Sequence, residues 1–229
     1  LAEYAVVDAR LLARKPGNLN MREAAGLPLV LITAWEGLVD RAQVRAGQKV
    51  LIHGGAGGVG HVAVQIARAL GAEVFATGSA RHRETIEDLG ATFIDYRQSS
   101  VEEYVAQYTA GQGFDIVYDT VGGETLDLSF KAARVYHGHV LSCLGWGQHS
   151  LAPLSFRGAT YSGVFTLLPL LTGEGREHHG EILRQAAGLI EAGKLKPILD
   201  PRRFNLQNAE TAHELLQSGA AQGRLVIEI

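Results

Sequence analysis

The glycines that follow one short apolar segment have the spacing of a phosphate-binding turn. Residues 49–60 read Lys-Val-Leu-Ile-His-Gly-Gly-Ala-Gly-Gly-Val-Gly, so Gly55, Gly57 and Gly60 satisfy the pattern G-x-G-x-x-G. Glycine permits a tight turn and a close approach of backbone N–H groups to a pyrophosphate, which the following helix N-terminus also attracts. The pattern alone is weak evidence, but a buried strand before it and an amphipathic helix after it favour dinucleotide binding. The alternative is a glycine-rich turn that binds nothing.

The end of the next apolar segment carries hydroxyl and basic groups. Segment 73–77 runs into Gly-Ser-Ala-Arg-His-Arg at 78–83. An acid at this point would bind the ribose 2′-hydroxyl of NAD, and none is present. Ser79, Arg81 and Arg83 are instead the donors that a 2′-phosphate requires, which favours NADP(H). The alternative is that both arginines are solvated residues at the start of a helix, although basic residues there oppose the helix dipole.

Other chemically active residues form no recognised catalytic arrangement. Cys143 has no base motif nearby, so we expect a small buried residue rather than a nucleophile. Asp119 ends an apolar segment and could either face a ligand or anchor a turn. His178 and His179 are adjacent, which points them to different faces of a helix, and we expect both to be solvated. We therefore identify no catalytic residue and predict no metal site.

Five apolar, β-branched segments alternate with helical patterns, as in a parallel sheet whose strands are buried on both faces. Ser100 and Glu103 have the spacing of a capping box that opens one of the helices. This alternation predicts an α/β fold with a doubly wound parallel sheet, the Rossmann fold. The predicted strands are 49–53, 73–77, 91–96, 115–120 and 139–144, with a weaker sixth at 161–166.

The two ends of the chain do not continue this alternation. Residues 2–10 read as a strand, and Asn20 with Glu23 resembles the cap of a helix through 21–39 that Pro28 interrupts. Residues 181–192 form a long helical pattern, followed by a helix at 208–217 and a strand at 224–229. These segments predict pieces of a second module.

Composition and charge exclude several functional classes. The 229 residues are 46% hydrophobic and 20% charged, which is ordinary for a globular protein. The net charge is −3 and there is no basic excess, so we expect no nucleic-acid partner. No apolar run approaches the ~20 residues that span a membrane. A single cysteine rules out a disulfide framework and a C-x-x-C zinc site within the chain, and it favours a reducing compartment, so we predict a cytoplasmic location.

Several motifs together resemble one family. The chain resembles the zinc-independent, zeta-crystallin-like quinone oxidoreductases of the medium-chain dehydrogenase/reductase superfamily, over its whole length and in the same order. The segments that carry the resemblance are Ala-Ala-Gly-Leu-Pro at 24–28, Leu-Ile-Thr-Ala-Trp at 31–35, the glycine motif at 50–60, Asp-Ile-Val-Tyr-Asp-Thr-Val-Gly-Gly at 115–123, Leu-Lys-Pro at 195–197 and Gly-Arg-Leu-Val at 223–226.

The resemblance implies NADPH-dependent reduction of a quinone or another α,β-unsaturated carbonyl, a small-molecule substrate. It also implies a cofactor cleft between two domains and a homodimer joined through the sixth strand. Residue by residue, Thr33 would face the nicotinamide, and Ser79 with Arg81 or His82, together with Tyr96, would hold the 2′-phosphate end. The pyrophosphate would lie on Gly57, Gly58 and Val59, and the nicotinamide side would be lined by Val121, Leu144, Gly145 and Phe165.

Two departures from the family affect these expectations. The family usually has Lys near position 82, where this chain has His82 between two arginines. The family also begins with a GroES-like barrel that would precede residue 1. We therefore expect residues 1–25 to be a remnant of a catalytic domain, 26–166 the dinucleotide-binding domain, and 167–229 the C-terminal part of the catalytic domain. We also expect the 229 residues alone to be inactive.

Two other functions stay open at the level of sequence. One is a non-catalytic NADP(H)-binding protein, crystallin-like or redox-sensing. The other is a zinc-containing alcohol dehydrogenase, although segment 28–34 lacks the metal-ligand cysteine that zinc-dependent relatives place near Thr33.

Overall fold

A six-stranded parallel sheet is the largest element of the computed structural model, which describes residues 2–229. The strand order is β3-β2-β1-β4-β5-β6, and every neighbouring pair is parallel. This confirms the predicted doubly wound α/β fold. The strands are β1 Lys49–His53, β2 Glu73–Gly78, β3 Thr92–Asp95, β4 Ile116–Asp119, β5 His139–Ser142 and β6 Thr160–Gly163. The sixth strand ends three residues before its predicted end.

Helices connect the strands and flank the sheet. The predicted capping box of Ser100 and Glu103 opens α5 (Val101–Thr109), and the predicted cap at Asn20 opens α1 (Met21–Ala25) as a capping box with Glu23. The predicted helix 21–39 is divided into α1, α2 and a π-helical segment, Glu36–Arg41. The helices are α1 Met21–Ala25, α2 Pro28–Trp35, α3 Gly60–Ala69, α4 Arg83–Asp88, α5 Val101–Thr109, α6 Glu124–Ala132, α7 Ala152–Arg157, α8 Leu168–Thr172, α9 Arg176–Glu191 and α10 Ala209–Gln217.

The chain forms two compact units. One contains residues 33–165 and the six-stranded sheet, and the other contains 2–32 with 166–229. Leu51, Phe75, Val117 and Val140 come from four adjacent strands and are almost completely buried in the core of the sheet-containing unit. Burying each such side chain contributes about 1.5–3 kcal/mol. The domain boundaries expected from the sequence stay predictions.

Helix α9 supports the N-terminal segment in the second unit. Asp8 pairs with Arg176 at 3.2 Å, and a Cβ on Gly180 would overlap the carbonyl oxygen of Arg10. The segment before residue 9 forms no ladder with any described residue, so the predicted strand 2–10 is wrong.

The short parallel pair of this unit is β7 Phe204–Asn205 with β8 Ile227–Glu228. His179 is only 3% exposed in α9, so the expectation that it is solvated is also wrong. No helix among residues 2–229 combines the length and the apolar character needed to cross a bilayer.

A buried histidine ends β1 and fixes the start of the glycine turn. His53 Nδ1 lies 3.1 Å from Thr77 Oγ1, which also accepts a hydrogen bond from the Gly54 N–H at 3.2 Å. The other ring nitrogen, Nε2, is buried and has no hydrogen-bond partner among the described residues. Burial lowers the pKa of His53 to about 4, against the opposing effect of Asp119. The imidazole is therefore neutral at physiological pH.

Folding stability should fall in acid because of His53. Its pKa is about 4 in the folded chain and 6.5 at its ordinary value, so the unfolded chain binds the proton first as the pH falls. The contribution is complete above pH 6.5 and is lost towards pH 4, a loss of about 3 kcal/mol. Urea denaturation from pH 7 to 4 measures it. His53→Gln should flatten the profile, whereas exposed His137→Gln should not; identical profiles for both variants would contradict this assignment.

The two glycines of α9 give a matched test of the second unit. Gly180→Ala should lower the free energy of unfolding by about 1–3 kcal/mol, because the new methyl group has to displace the Arg10 carbonyl. No heavy atom lies within 4 Å of a Cβ built on Gly188. Gly188→Ala should therefore be neutral or stabilise the helix by up to about 1 kcal/mol. Equal effects in chemical denaturation would mean that the segment around Arg10 is not held against this helix.

Candidate functional site

A cavity of about 650 Å³ lies at the carboxyl ends of the central strands in the unit of residues 33–165. In the strand order β3-β2-β1-β4, the connections leave in opposite directions between β1 and β4, and ligands of such sheets bind at this switch point. The lining residues follow β1, β2, β3 and β4 and include the start of α5, from Ser99 to Glu102. The cavity is therefore located where the fold class predicts a ligand.

The glycine turn forms one wall of this cavity, and two of its glycines are required by close packing. A Cβ on Gly60 would overlap the Gly54 carbonyl oxygen, and a Cβ on Gly55 would lie 2.5 Å from the Ala76 Cβ. Gly54 itself has a φ of +73°, and its carbonyl accepts the Gly57 N–H at 2.8 Å. The close approach brings Gly58 and Val59, the two residues directly before α3, into the cavity wall, whereas the N–H groups of His61 and Ala63 within the helix already donate to backbone carbonyls. That arrangement fits an anionic pyrophosphate.

The carboxyl end of β2 forms the basic part of the lining. Ser79, Arg81 and His82 line the cavity, and Arg97 joins them from the segment after β3. Arg83 does not: its guanidinium stacks over the Phe93 ring at 4.4 Å and pairs with Glu87 at 3.1 Å. Arg81 and Arg83 were expected to serve as similar donors, but only Arg81 lines the cavity.

Arg97 was missed by the sequence analysis. Its guanidinium stacks on the ring of Tyr96, 5.7 Å from the centroid, and makes no hydrogen bond or ion pair with a described residue. Its backbone N–H donates to Asp95 at 3.0 Å, which fixes the turn after β3. The available signal was its position directly after a predicted strand, next to Tyr96, which the resemblance had already implicated.

Asp119 is a structural anchor for two loops. Its completely buried carboxylate accepts hydrogen bonds from the backbone N–H groups of Val121 at 3.0 Å and Gly122 at 2.9 Å, and from Ser142 Oγ at 2.7 Å. Ser142 Oγ in turn accepts the Leu144 N–H at 3.1 Å. These donors occupy the carboxylate, so of the two roles left open by the sequence the structure favours the turn anchor. The anchor fixes the backbone at Val121 and Leu144.

The predicted site residues divide into three groups. Gly57, Gly58, Val59, Ser79, Arg81, His82, Tyr96 and Val121 line the cavity. Gly55 and Gly60 do not line the cavity, but the close packing described above requires them. Four others do not line it: Thr33, whose carbonyl accepts from Tyr118 Oη at 2.7 Å, and Leu144, Gly145 and Phe165 beyond the cavity. The roles of all these residues in binding stay predictions.

No metal site is found among residues 2–229: no three His, Cys, Asp or Glu side chains are grouped so that they could hold an ion. Cys143 is half-buried, and burial raises the pKa of its thiol to about 11. At neutral pH the group is therefore a thiol rather than a nucleophilic thiolate.

Comparison with known proteins identifies relatives over nearly the whole chain. Residues 89–227 match the family model described as zinc-binding dehydrogenase. The chain is 36% identical over 234 residues to the 2-methylene-furan-3-one reductase of Solanum lycopersicum, and 34% identical over 233 residues to the chloroplastic NADPH-dependent alkenal/one oxidoreductase of Arabidopsis thaliana. Each match covers 99% of this chain and 52% of the relative, so the chain spans about half the length of these curated relatives.

A solved structure agrees with the same assignment. The crystal structure of an alcohol dehydrogenase superfamily protein from Novosphingobium aromaticivorans superposes with a TM-score of 0.94 at 58% identity, over 97% of this chain and 68% of that protein. The family model matches more than half of the chain, and both sequence and fold agree with it. The chain belongs to the zinc-binding dehydrogenase family of oxidoreductases, within the medium-chain dehydrogenase/reductase superfamily that its motifs predicted.

Proposed function

We propose that this chain is the dinucleotide-binding part of an NADPH-dependent oxidoreductase that reduces a quinone or another α,β-unsaturated carbonyl. The observation that carries the proposal is the cavity itself, which is lined both by the glycine turn and by the basic side chains of Arg81 and Arg97. The names of the two curated relatives, a furanone reductase and an alkenal/one oxidoreductase, support the same reaction class.

Each part of the cavity suits one part of NADPH. Gly57, Gly58 and Val59 would hold the pyrophosphate just before α3. The N–H groups of Gly58 and Val59 would donate to it, because the Gly57 N–H is already bonded to the Gly54 carbonyl. The 2′-phosphate would lie among Ser79, Arg81 and Arg97, because charged donors of this kind stabilise a phosphate. Val121, which is 51% exposed, would give the nicotinamide side an apolar surface that excludes water.

The cofactor would supply the hydride when bound, and the chain's own residues would position it. The Asp119 anchor holds the backbone that presents Val121, so the wall of the cavity is set before a ligand arrives. We assign no proton donor. Cys143 is a poor candidate because the pKa of its thiol is raised to about 11, and buried His53 stays neutral.

Two alternative functions have direct tests. A non-catalytic NADP(H)-binding protein would bind NADPH without reducing any quinone or enone. A zinc-containing alcohol dehydrogenase would contain stoichiometric zinc by metal analysis. The expectation that the 229 residues alone are inactive is tested by the same turnover assay, and rapid quinone reduction by this chain would contradict it.

The chain should bind NADPH at least tenfold more tightly than NADH. One hydrogen bond to a charged group contributes about 1.5–3 kcal/mol, and about 1.4 kcal/mol corresponds to a factor of ten. Arg81→Ala should weaken NADPH binding and leave NADH binding nearly unchanged, because NADH lacks the 2′-phosphate. Isothermal titration calorimetry with both cofactors measures this.

Arg83→Ala is the matched control for Arg81→Ala. It removes an equal charge two residues away, but Arg83 pairs with Glu87 outside the cavity. Its cofactor preference should stay close to that of the parent chain. Equal affinity of the parent for NADPH and NADH would overturn the NADP assignment. A preference that survives Arg81→Ala would transfer the main contact to Arg97.

We also propose that the chain forms a homodimer through β6. This strand is last in the sheet order, and the N–H groups of Thr160 and Val164 donate to β5, at Gly138 and Ser142. Strand alternation then turns the N–H groups of Tyr161 and Gly163 away from β5. An exposed edge of this kind tends to pair, and a two-fold axis would join two sheets into one.

Light scattering should give the mass of a dimer at tens of micromolar chain. Gly163→Pro should shift the mass towards the monomer, because proline removes an outward donor. Gly163→Ala keeps that donor and should leave the dimer intact. A parent chain that is monomeric, or a dimer unaffected by Gly163→Pro, would exclude this interface. Val164→Pro is unsuitable, since the Val164 N–H is bonded within the chain.

A further inference from the structure

A chain of hydrogen bonds joins the three residues that follow β2. The Nε–H of Arg81 donates to His82 Nε2 at 3.1 Å, and His82 Nδ1 lies 3.3 Å from Ser79 Oγ. Ser79 begins the 3₁₀ turn Ala80–His82, which brings residues 79 and 82 together. All three residues line the cavity. The arrangement therefore connects two cavity-lining donors through one imidazole.

The protonation state of His82 follows from its partners. The guanidinium of Arg81 can only donate, so His82 Nε2 is the acceptor and carries no proton. The single ring proton is then on Nδ1 and donates to Ser79 Oγ. Burial, and next the charge of Arg81, lower the pKa of His82, which agrees with a neutral ring. A protonated ring would lose the Arg81 bond and place two cations side by side.

The direction of these bonds determines what the site can offer. Because Ser79 Oγ accepts from His82, its own hydrogen is left to donate, and no described residue takes it. Ser79 is 9% exposed at the cavity wall, so an oxygen acceptor in the cavity can reach it. The bond from Nε restricts rotation of the Arg81 guanidinium. Both neighbours of the imidazole thus become fixed donors, which is what an anion requires.

We propose that His82 is a positioning residue: as a neutral Nδ1–H imidazole, it orients Arg81 and Ser79 to bind the 2′-phosphate of the cofactor. This inference rests on the proposed function, because it needs a 2′-phosphate in the cavity. His82 contributes through geometry and not through its own charge. His82 therefore determines specificity for the 2′-phosphate although its ring is uncharged.

The imidazole itself gives the first test, which needs no ligand. Nitrogen-15 NMR of the ring at pH 7 should show the Nδ1–H tautomer of His82, assigned by its loss in His82→Gln. An imidazolium or an Nε2–H tautomer would overturn the relay.

Two nucleotides that differ only in the 2′-phosphate give the second test. Adenosine 2′,5′-bisphosphate and adenosine 5′-monophosphate are titrated by calorimetry into the parent chain, His82→Leu and His82→Gln. His82→Leu, which can neither accept nor donate, should bind the bisphosphate about five- to tenfold more weakly and the monophosphate as before. His82→Gln should recover most of that loss, because its amide oxygen can accept from Arg81. Thermal denaturation confirms that each variant is folded.

The outcomes separate the two proposals. A parent chain that binds both nucleotides equally contradicts the NADP assignment, and this inference falls with it. A parent that prefers the bisphosphate, with His82→Leu unchanged, overturns the positioning role alone. Equal weakening of both nucleotides in His82→Leu would assign His82 a packing role and would also overturn the proposal.

Discussion

The site depends on one steric constraint, the contact between the start of α3 and the carbonyl of Gly54. Helix α3 can follow β1 within seven residues only because Gly60 has no side chain at the point where it passes over that carbonyl. The same approach places Gly57, Gly58 and Val59 in the cavity wall. Gly55 has a second role, since it lets the turn lie against Ala76 of β2. Two of the three motif glycines therefore serve packing, and phosphate binding is a consequence of the geometry that they allow.

The arginine side chains near this turn differ in the residues with which they interact. Of the three arginines near the ends of β2 and β3, Arg83 is engaged by Glu87 and Phe93, Arg81 by His82, and Arg97 by an aromatic face alone. A guanidinium that already has a carboxylate partner gains little from a phosphate. The basic part of the cavity lining therefore consists of Arg81 and Arg97, whereas Glu87 and Phe93 hold Arg83 outside it.

The sequence predicted the sheet well because its physical basis is local. Continuous apolar segments such as 49–53 admit few structures other than a buried strand, and the capping box at Ser100 marks a helix start on its own. The strand expected at 2–10 failed because apolar alternation does not say whether a pairing partner exists. His179 was misassigned since burial of one helix face depends on what packs there. The different roles of Arg81 and Arg83 could not be predicted, because they depend on Phe93, a residue from another strand.

The buried carboxylate of Asp119 links two separate loops, the one after β4 and the one after β5. Its hydrogen bonds reach Val121 and Gly122 directly and Leu144 through Ser142. If either loop opened, the buried carboxylate of Asp119 would lose some of its hydrogen-bond donors. A buried polar group without hydrogen bonds carries a large desolvation penalty. The three backbone amides should therefore exchange with deuterium through a single shared opening and not as independent local fluctuations. Access to this side of the cavity would then be governed by that one cooperative event.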